Sequence, residues 1–168
     1  MTIYSVIDTP IGDMLIVGER TGSSAALAGA YLVGQRYERE IDAAWHRDDA
    51  TLSAIAKQFD GYFTGESTSF DVQLALKGSD FQQAVWRALD DIPYGETCTY
   101  GELANRVADR SKTRAVAAAV GRNPLCIVLP CHRVIGADGS LTGYAGGLER
   151  KRWLLDHEAR TAGRTLAL

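Results

Sequence analysis

Cys131, His132 and Arg133 follow one another in the stretch 125–134, Leu-Cys-Ile-Val-Leu-Pro-Cys-His-Arg-Val, and set a potential nucleophile beside a potential base and a permanent positive charge. A free thiol titrates at about 8.5, so little of it is thiolate at neutral pH unless its surroundings favour the anion. His132 can take the proton, and a carboxylate behind the imidazole would hold its tautomer and stabilise the cation. Glu158 is a candidate for that carboxylate, barely ahead of Asp156 and Glu149. The competing reading makes Cys131 a small buried hydrophobe and His132 a structural side chain. Cys98, in a turn, and Cys126, inside an apolar run, take that plainer reading because neither has a base beside it. Three cysteines without a CxxC pair suggest neither a disulfide framework nor a structural zinc site, and a reducing compartment would keep a thiol available.

The element expected to deliver the thiol is a short buried strand. Ile127, Val128 and Leu129 are apolar and largely β-branched, and Pro130 stops the strand because it cannot donate to a ladder. Adjacent strand residues point to opposite faces, so a turn after Pro130 or a bridging water would have to connect Cys131 with His132. Asn123-Pro124 turns into this segment. Beyond it, Val134-Ile135-Gly136 and an Asp138-Gly139 turn lead to a glycine-rich loop over residues 141–147, which would let a ligand approach main-chain amides closely. The loop has neither ending of the usual phosphate cradles. Residues 148–159 read as a last helix with Trp153, Leu154 and His157 at helical spacing, and the chain from Thr161 as a frayed end.

Upstream, residues 2–18 read as a hairpin turning at Thr9-Pro10-Ile11-Gly12-Asp13, residues 25–33 as a third strand and 37–49 as a loop. Leu52, Ile55, Ala56, Phe59 and Phe63 recur at helical spacing until Thr64-Gly65-Glu66. Residues 70–76 alternate as an extended segment, and Lys77-Gly78 is the expected link to a second domain. Ser79-Asp80-Phe81-Gln82 fits a capping box opening a helix that buries Phe81, Val85, Trp86 and Leu89, and residues 90–95 break it. A second box at Thr99-Tyr100-Gly101-Glu102 opens a short helix to about Val107. A polar turn at 108–112 then precedes an alanine-rich helix over 113–121. Two short helices joined by a tight turn suggest a helix-turn-helix, against the alternative of a helix packed inside its own domain. The expected architecture is α/β, with residues 1–78 as one domain and 79–168 as the other.

The 168 residues are 46% hydrophobic and 23% charged, as in an ordinary soluble protein. The amino terminus lacks a basic region and a long apolar run, and no stretch reaches membrane-spanning length, which places the protein in the cytoplasm or near DNA. The net charge of −3 is unevenly spread: residues 1–78 hold 6 Lys and Arg against 11 Asp and Glu, residues 79–168 hold 12 against 10. Arg106, Arg110, Lys112, Arg114 and Arg122 face the single acid Asp109 between residues 106 and 122. Such a patch suits phosphate contact, although a solvated helix face would look the same.

Pro130-Cys131-His132-Arg133-Val134, with Asn123-Pro124 before it and Gly143-Tyr144-Ala145-Gly146-Gly147 after it, resembles the active-site region of the O6-alkylguanine-DNA alkyltransferases, also called methylated-DNA-protein-cysteine methyltransferases. Residues 81–86, 92–97, 100–104, 114–116 and 153–155 fit the family's pattern in order, so the resemblance covers nearly all of 79–158. The first half matches more loosely, chiefly through Thr9-Pro10-Ile11-Gly12. The resemblance implies a ribonuclease H-like first domain of antiparallel sheet plus helix, and a mainly helical, winged-helix-like second domain that binds DNA. It implies irreversible, stoichiometric transfer of an alkyl group from O6-alkylguanine in duplex DNA to Cys131, with O4-alkylthymine as a further substrate left open. His132 acts as base through a water, Glu158 polarises it, Asn123 braces the turn and Tyr100 donates to the departing guanine. Arg114 fills the space of an extruded nucleotide, while Ala115, Ala118 and Ala119 admit the helix to the minor groove. The Ala145 amide and the Cys131 and Val134 carbonyls read the guanine edge in a pocket walled by Tyr144 and Gly146. Neither metal nor other cofactor is implied, and the partner is DNA bound by a monomer, with cooperative binding left open. The rivals are a cysteine hydrolase, a helix-turn-helix regulator, and a protein that recognises alkylguanine without transfer.

Overall fold

A computed structural model describes residues 1–163 of the chain. The first half is a four-stranded sheet in the order β3-β2-β1-β4, built from β1 (Thr2–Ile7), β2 (Met14–Thr21), β3 (Ser24–Leu32) and β4 (His46–Arg47). The expected hairpin forms, with Ile7 opposite Met14 across the Thr9–Gly12 turn. The sheet departs from all-antiparallel because β4, inside the segment expected to be a loop, pairs in parallel with Ile3 and Tyr4 of β1. Two polar residues carry no strand signature, so only the neighbouring edge of β1 reveals them. Helix α1 (Ser53–Thr64) packs Ile55, Phe59 and Tyr62 inward and stops at Gly65, whose φ of 80° is left-handed.

The second half is helical: α2 (Asp80–Leu89), α3 (Tyr100–Val107), α4 (Thr113–Gly121) and α5 (Leu148–Thr161), with α3 preceded by the two-residue β5 (Cys98–Thr99). Ser79 and Gln82 form the full capping box on α2. The second box is half made: Thr99 Oγ1 accepts the Glu102 amide at 3.1 Å, but the Glu102 carboxylate takes the Thr99 hydroxyl rather than the Thr99 amide. A single 3-10 turn, Arg110–Lys112, joins α3 to α4 and completes the helix-turn-helix. Thr161 is still helical, so of the expected frayed end Thr161 is ordered, and residues 164–168 lie outside the described residues.

One apolar core runs through both halves, from Ile3, Leu27 and Phe59 to Trp86, Leu103, Leu129 and Leu154. The free edge of β3 is where they join. Leu27 bonds to Gln73 and Ala75, which is all the ladder that the expected extended segment 70–76 makes. Ala30 donates to Pro124 O at 2.8 Å and accepts from the Cys126 amide at 3.1 Å. No helix among the described residues is long and apolar enough to cross a membrane.

Candidate active site

The apolar run 127–129 is buried but is not a strand. After one bridge from Leu125 to Ala30, the chain leaves β3 through a γ-turn closed by Val128 N donating to Cys126 O at 2.9 Å, with Ile127 at φ 76°. A second γ-turn, centred on Pro130 at φ −80° and ψ 67°, is closed by the Cys131 amide on Leu129 O at 2.8 Å. Cys131 then opens a 3-10 turn through Arg133, followed by β6 (Val134–Ile135), which pairs in parallel with β5. An apolar run reports burial, not pairing, and here the burial comes from being clasped between the two halves. Asn123 replaces the missing ladder: its Nδ2 donates to Leu129 O at 2.7 Å and its Oδ1 accepts the Leu125 amide at 3.0 Å.

Glu158, on α5, lies behind His132. Its carboxylate accepts from His132 Nε2 at 2.5 Å, Tyr62 Oη at 2.6 Å, Arg133 Nε at 2.8 Å, Arg133 Nη2 at 3.2 Å and the Gly95 amide at 3.2 Å. Burial alone would raise the Glu158 carboxyl, yet His132 and Arg133 hold it well below the carboxylate range. Burial lowers His132 against the pull of Glu158, so the imidazole is neutral. With Nε2–H committed to the carboxylate, Nδ1 carries the lone pair, and it is buried with no hydrogen-bond partner. Asp156 and Glu149 make no such contact.

Cys131 is 5% exposed. The Cys126 thiol, then the Asn123 amide and the Lys151 charge, draw its thiol below the ordinary value in spite of burial. Lys151 is fully buried on α5, donates to Thr142 O at 2.9 Å and to Val134 O at 2.5 Å, and is lowered by burial to about 8. Tyr100, at the start of α3, donates to the same Thr142 carbonyl at 3.0 Å and is pushed up to about 12, chiefly by burial, so it keeps its proton. Gly143, at φ 69°, leaves room for it: a Cβ there would stand 3.1 Å from Tyr100 Oη. The loop that follows places Tyr144 and Gly146 in the interior and leaves Ala145 half-buried, its carbonyl accepting from Arg36 N at 2.8 Å.

Arg114, Ala115 and Ala118 are exposed on α4, whereas Ala119 faces inward at 4% exposure and its carbonyl accepts the Trp86 indole at 2.8 Å. A groove of about 1040 Å³ runs between α4 and the glycine-rich loop, lined by Ala115, Ala118, Tyr144 and Ala145 among others. The sequence reading missed Tyr62, Lys151 and Gln35. Lys151 had a signal: it shares one helical stripe with Leu154, Leu155 and Glu158, all buried. Tyr62 had the same signal of burial, on one stripe with Ile55 and Phe59, but Gln35 had none, and both reach the site only through the packing of the first half against the second.

Fold and site together define a helix-turn-helix protein that buries a thiol and a carboxylate-bound histidine beside a groove along its second helix. Residues 80–160 match the family model described as 6-O-methylguanine DNA methyltransferase, DNA binding domain, and residues 2–76 the model described as 6-O-methylguanine DNA methyltransferase, ribonuclease-like domain. The methylated-DNA–protein-cysteine methyltransferase of Mycobacterium bovis is 46% identical over 168 residues, covering 100% of this chain and 99% of its own. The crystal structure of Mycobacterium tuberculosis O6-methylguanine methyltransferase superposes with a TM-score of 0.84 at 46% identity, over 100% of this chain and 97% of that one. The Mycobacterium tuberculosis OGT in complex with DNA gives 0.85 at 46% identity, over 95% and 94%. The chain belongs to the 6-O-methylguanine DNA methyltransferase family.

Proposed function

We propose that the chain repairs O6-alkylguanine in duplex DNA by moving the alkyl group, once and irreversibly, onto the Cys131 sulfur. The names of its relatives support the reaction, and one observation carries the assignment of groups: His132 is locked on Glu158 through Nε2 while Nδ1, one residue from the thiol, is buried and unpartnered. The Cys131 proton passes through a bridging water to Nδ1, and Glu158 stabilises the imidazolium. The thiolate attacks the alkyl carbon, the carbon–O6 bond breaks with its electron pair going to the guanine, and the thiol proton ends on the restored base. Tyr100, released from Thr142, hydrogen-bonds the leaving guanine while keeping its own proton. Thiol, base and alkyl group close the balance, and the thioether offers no leaving group for a second round.

A stacked base is out of reach, so the nucleotide is extruded at a cost of about a few kcal/mol. Arg114, exposed at the first turn of α4, fills the vacated space, while Ala115 and Ala118 present the small surface that enters the minor groove. Ala119 braces the helix from behind. The Ala145 amide and the carbonyls of Cys131 and Val134 read the guanine, with Lys151 holding the Val134 carbonyl in place, and Tyr144 and Gly146 wall the pocket. The two domains meet between residues 78 and 79, and the protein acts as a cytoplasmic monomer.

The test is to incubate the protein with duplex containing O6-methylguanine, digest it and locate the methyl group by mass spectrometry. One methyl on Cys131 per molecule is expected. Methyl elsewhere, or more than one repaired guanine per protein, overturns the proposal and, in the second case, favours a hydrolase.

A further inference from the structure

Among the described residues, the first half of the chain reaches the carboxylate behind His132 through a single side chain. Tyr62, on the buried face of α1, is 1% exposed and donates through Oη to Glu158 Oε2 at 2.6 Å. That same oxygen accepts His132 Nε2 at 2.5 Å and Arg133 Nη2 at 3.2 Å. The other carboxylate oxygen takes Arg133 Nε and the Gly95 amide. Arg133 thus supplies charge to both oxygens, whereas Tyr62 places a neutral donor on Oε2 alone. A carboxylate oxygen offers two lone pairs, so the tyrosine and the histidine compete for it.

The phenol is fixed in this contact from all sides. Its ring lies over Phe70 at 5.8 Å and meets Tyr94, His157 and Phe63 edge-on, with centroids 6.2, 5.4 and 5.3 Å away. The Tyr62 carbonyl, in the last turn of α1, accepts His157 Nε2 at 2.7 Å as well as the Gly65 amide at 3.1 Å. His157 and Glu158 are consecutive on α5, so one helix holds the tyrosine at both its backbone and its hydroxyl. Burial, and after it the Glu158 charge, push the phenol well above its ordinary value, so it keeps its proton and acts as a donor.

We propose that Tyr62 is a positioning residue for the base: by sharing Glu158 Oε2 with His132, its hydroxyl limits how strongly the carboxylate holds the imidazolium, and so keeps His132 neutral and ready to take the Cys131 proton. This role rests on the reading of His132 as the base in alkyl transfer. An imidazolium N–H is a stronger donor than the N–H of the neutral ring, because its bond to a carboxylate is charge-assisted. A second short donor takes up part of the negative charge on Oε2, and the charged ring loses more by that than the neutral ring does. The same bond makes the carboxylate a poorer base, so the Nε2 proton stays on the ring. Of the other groups that face His132, Arg133 and Lys151 oppose its protonation and Glu158 favours it. Tyr94, which also faces Glu158, is raised by burial and stays neutral, and Cys131 is the adjacent residue whose proton is moved. The docking of α1 on α5 thereby sets the proton affinity of a group in the second half.

The test compares full-length wild type with Tyr62→Phe, which keeps the ring and loses the hydroxyl, and with a ring-fluorinated tyrosine at position 62, each shown by thermal melting to be folded. The ring nitrogens of His132, assigned against His132→Gln, are titrated by nitrogen NMR from pH 8 to 4, and single-turnover methyl uptake from O6-methylguanine duplex is followed over the same range. In Tyr62→Phe the His132 midpoint rises by about one unit, so methyl uptake at the acid end slows about tenfold while the rate at pH 8 stays that of wild type. A wild-type midpoint in Tyr62→Phe, or an equal loss of rate at every pH, overturns the role. If Tyr62→Phe does not fold, the fluorinated tyrosine decides: as the more acidic and stronger donor it lowers the midpoint, and an unchanged or raised midpoint overturns the role. The titration needs no DNA, so midpoints that move as described in a protein whose Cys131 takes no methyl refute the alkyl-acceptor reading and leave the tuning of His132 by Tyr62 standing.

Discussion

Glu158 gathers five hydrogen bonds from four residues, and that saturation makes it structural as well as functional. Glu158→Gln leaves the Arg133 guanidinium buried without its counter-charge, and breaking such a pair costs about 3–5 kcal/mol. A lower Tm together with loss of methyl transfer is the expected result, and a Tm within error of wild type would refute it. Glu158 and His132 together set an acid limit. Glu158 is held below its ordinary 4.5, so its contribution is complete above that pH and is lost as pH falls through and below it. His132 is neutral in the fold but takes a proton in the unfolded chain below about 6.5, so its contribution also falls with pH. Melting curves taken from pH 7 down to about 2.5 should show Tm dropping in two stages, the first below about 6.5 from His132 and the second below about 4.5 from Glu158, with the second absent in Glu158→Gln.

Helix α4 divides its work by face. Val116, Ala119 and Val120 are buried, while Arg114, Ala115 and Ala118 stay outside. Arg114→Ala therefore removes nothing from the core, and the melting curve should not move. Repair of duplex should slow by about tenfold or more, since a few kcal/mol of lost stacking then goes uncompensated. Reaction with free O6-methylguanine, which needs no extrusion, should be unchanged. Equal losses on both substrates would count against extrusion by this side chain. The alanine-rich pattern announced the helix and its small surface, and the basic cluster pointed to DNA. What it left undecided was the rotation of the helix, which is why Ala119 was grouped with the outward residues although the Trp86 indole holds it inside.

At the scale of the whole molecule, the catalytic half depends on the other. Tyr62 bonds Glu158, Gln35 bonds Cys126, and Ala30 of β3 carries the start of the nucleophile turn. Residues 79–168 expressed alone should lose the cooperative thermal transition and label Cys131 with iodoacetamide faster than the intact chain does. An unchanged melt and labelling rate would show the second half to be self-sufficient. Much was legible beforehand, because local rules govern it: the hairpin about Thr9–Gly12, the capping box at Ser79, the helix pair 100–121, and Cys131 beside His132 are set by neighbours within a few residues. The choice of Glu158 over Asp156 and Glu149 was legible only in part: the stripe it shares with Lys151, Leu154 and Leu155 turns it inward, but only the packing of α5 brings it to His132. The form of the segment before Cys131 was not legible. By itself the sequence determined which groups could react and that residues 125–129 would be buried, for residue type and hydrophobicity are properties of the chain. Only the tertiary structure decided that these residues turn instead of pairing, because once β3 had accepted one bridge at Ala30 and Asn123 had taken the Leu129 carbonyl, their backbone groups no longer needed a ladder.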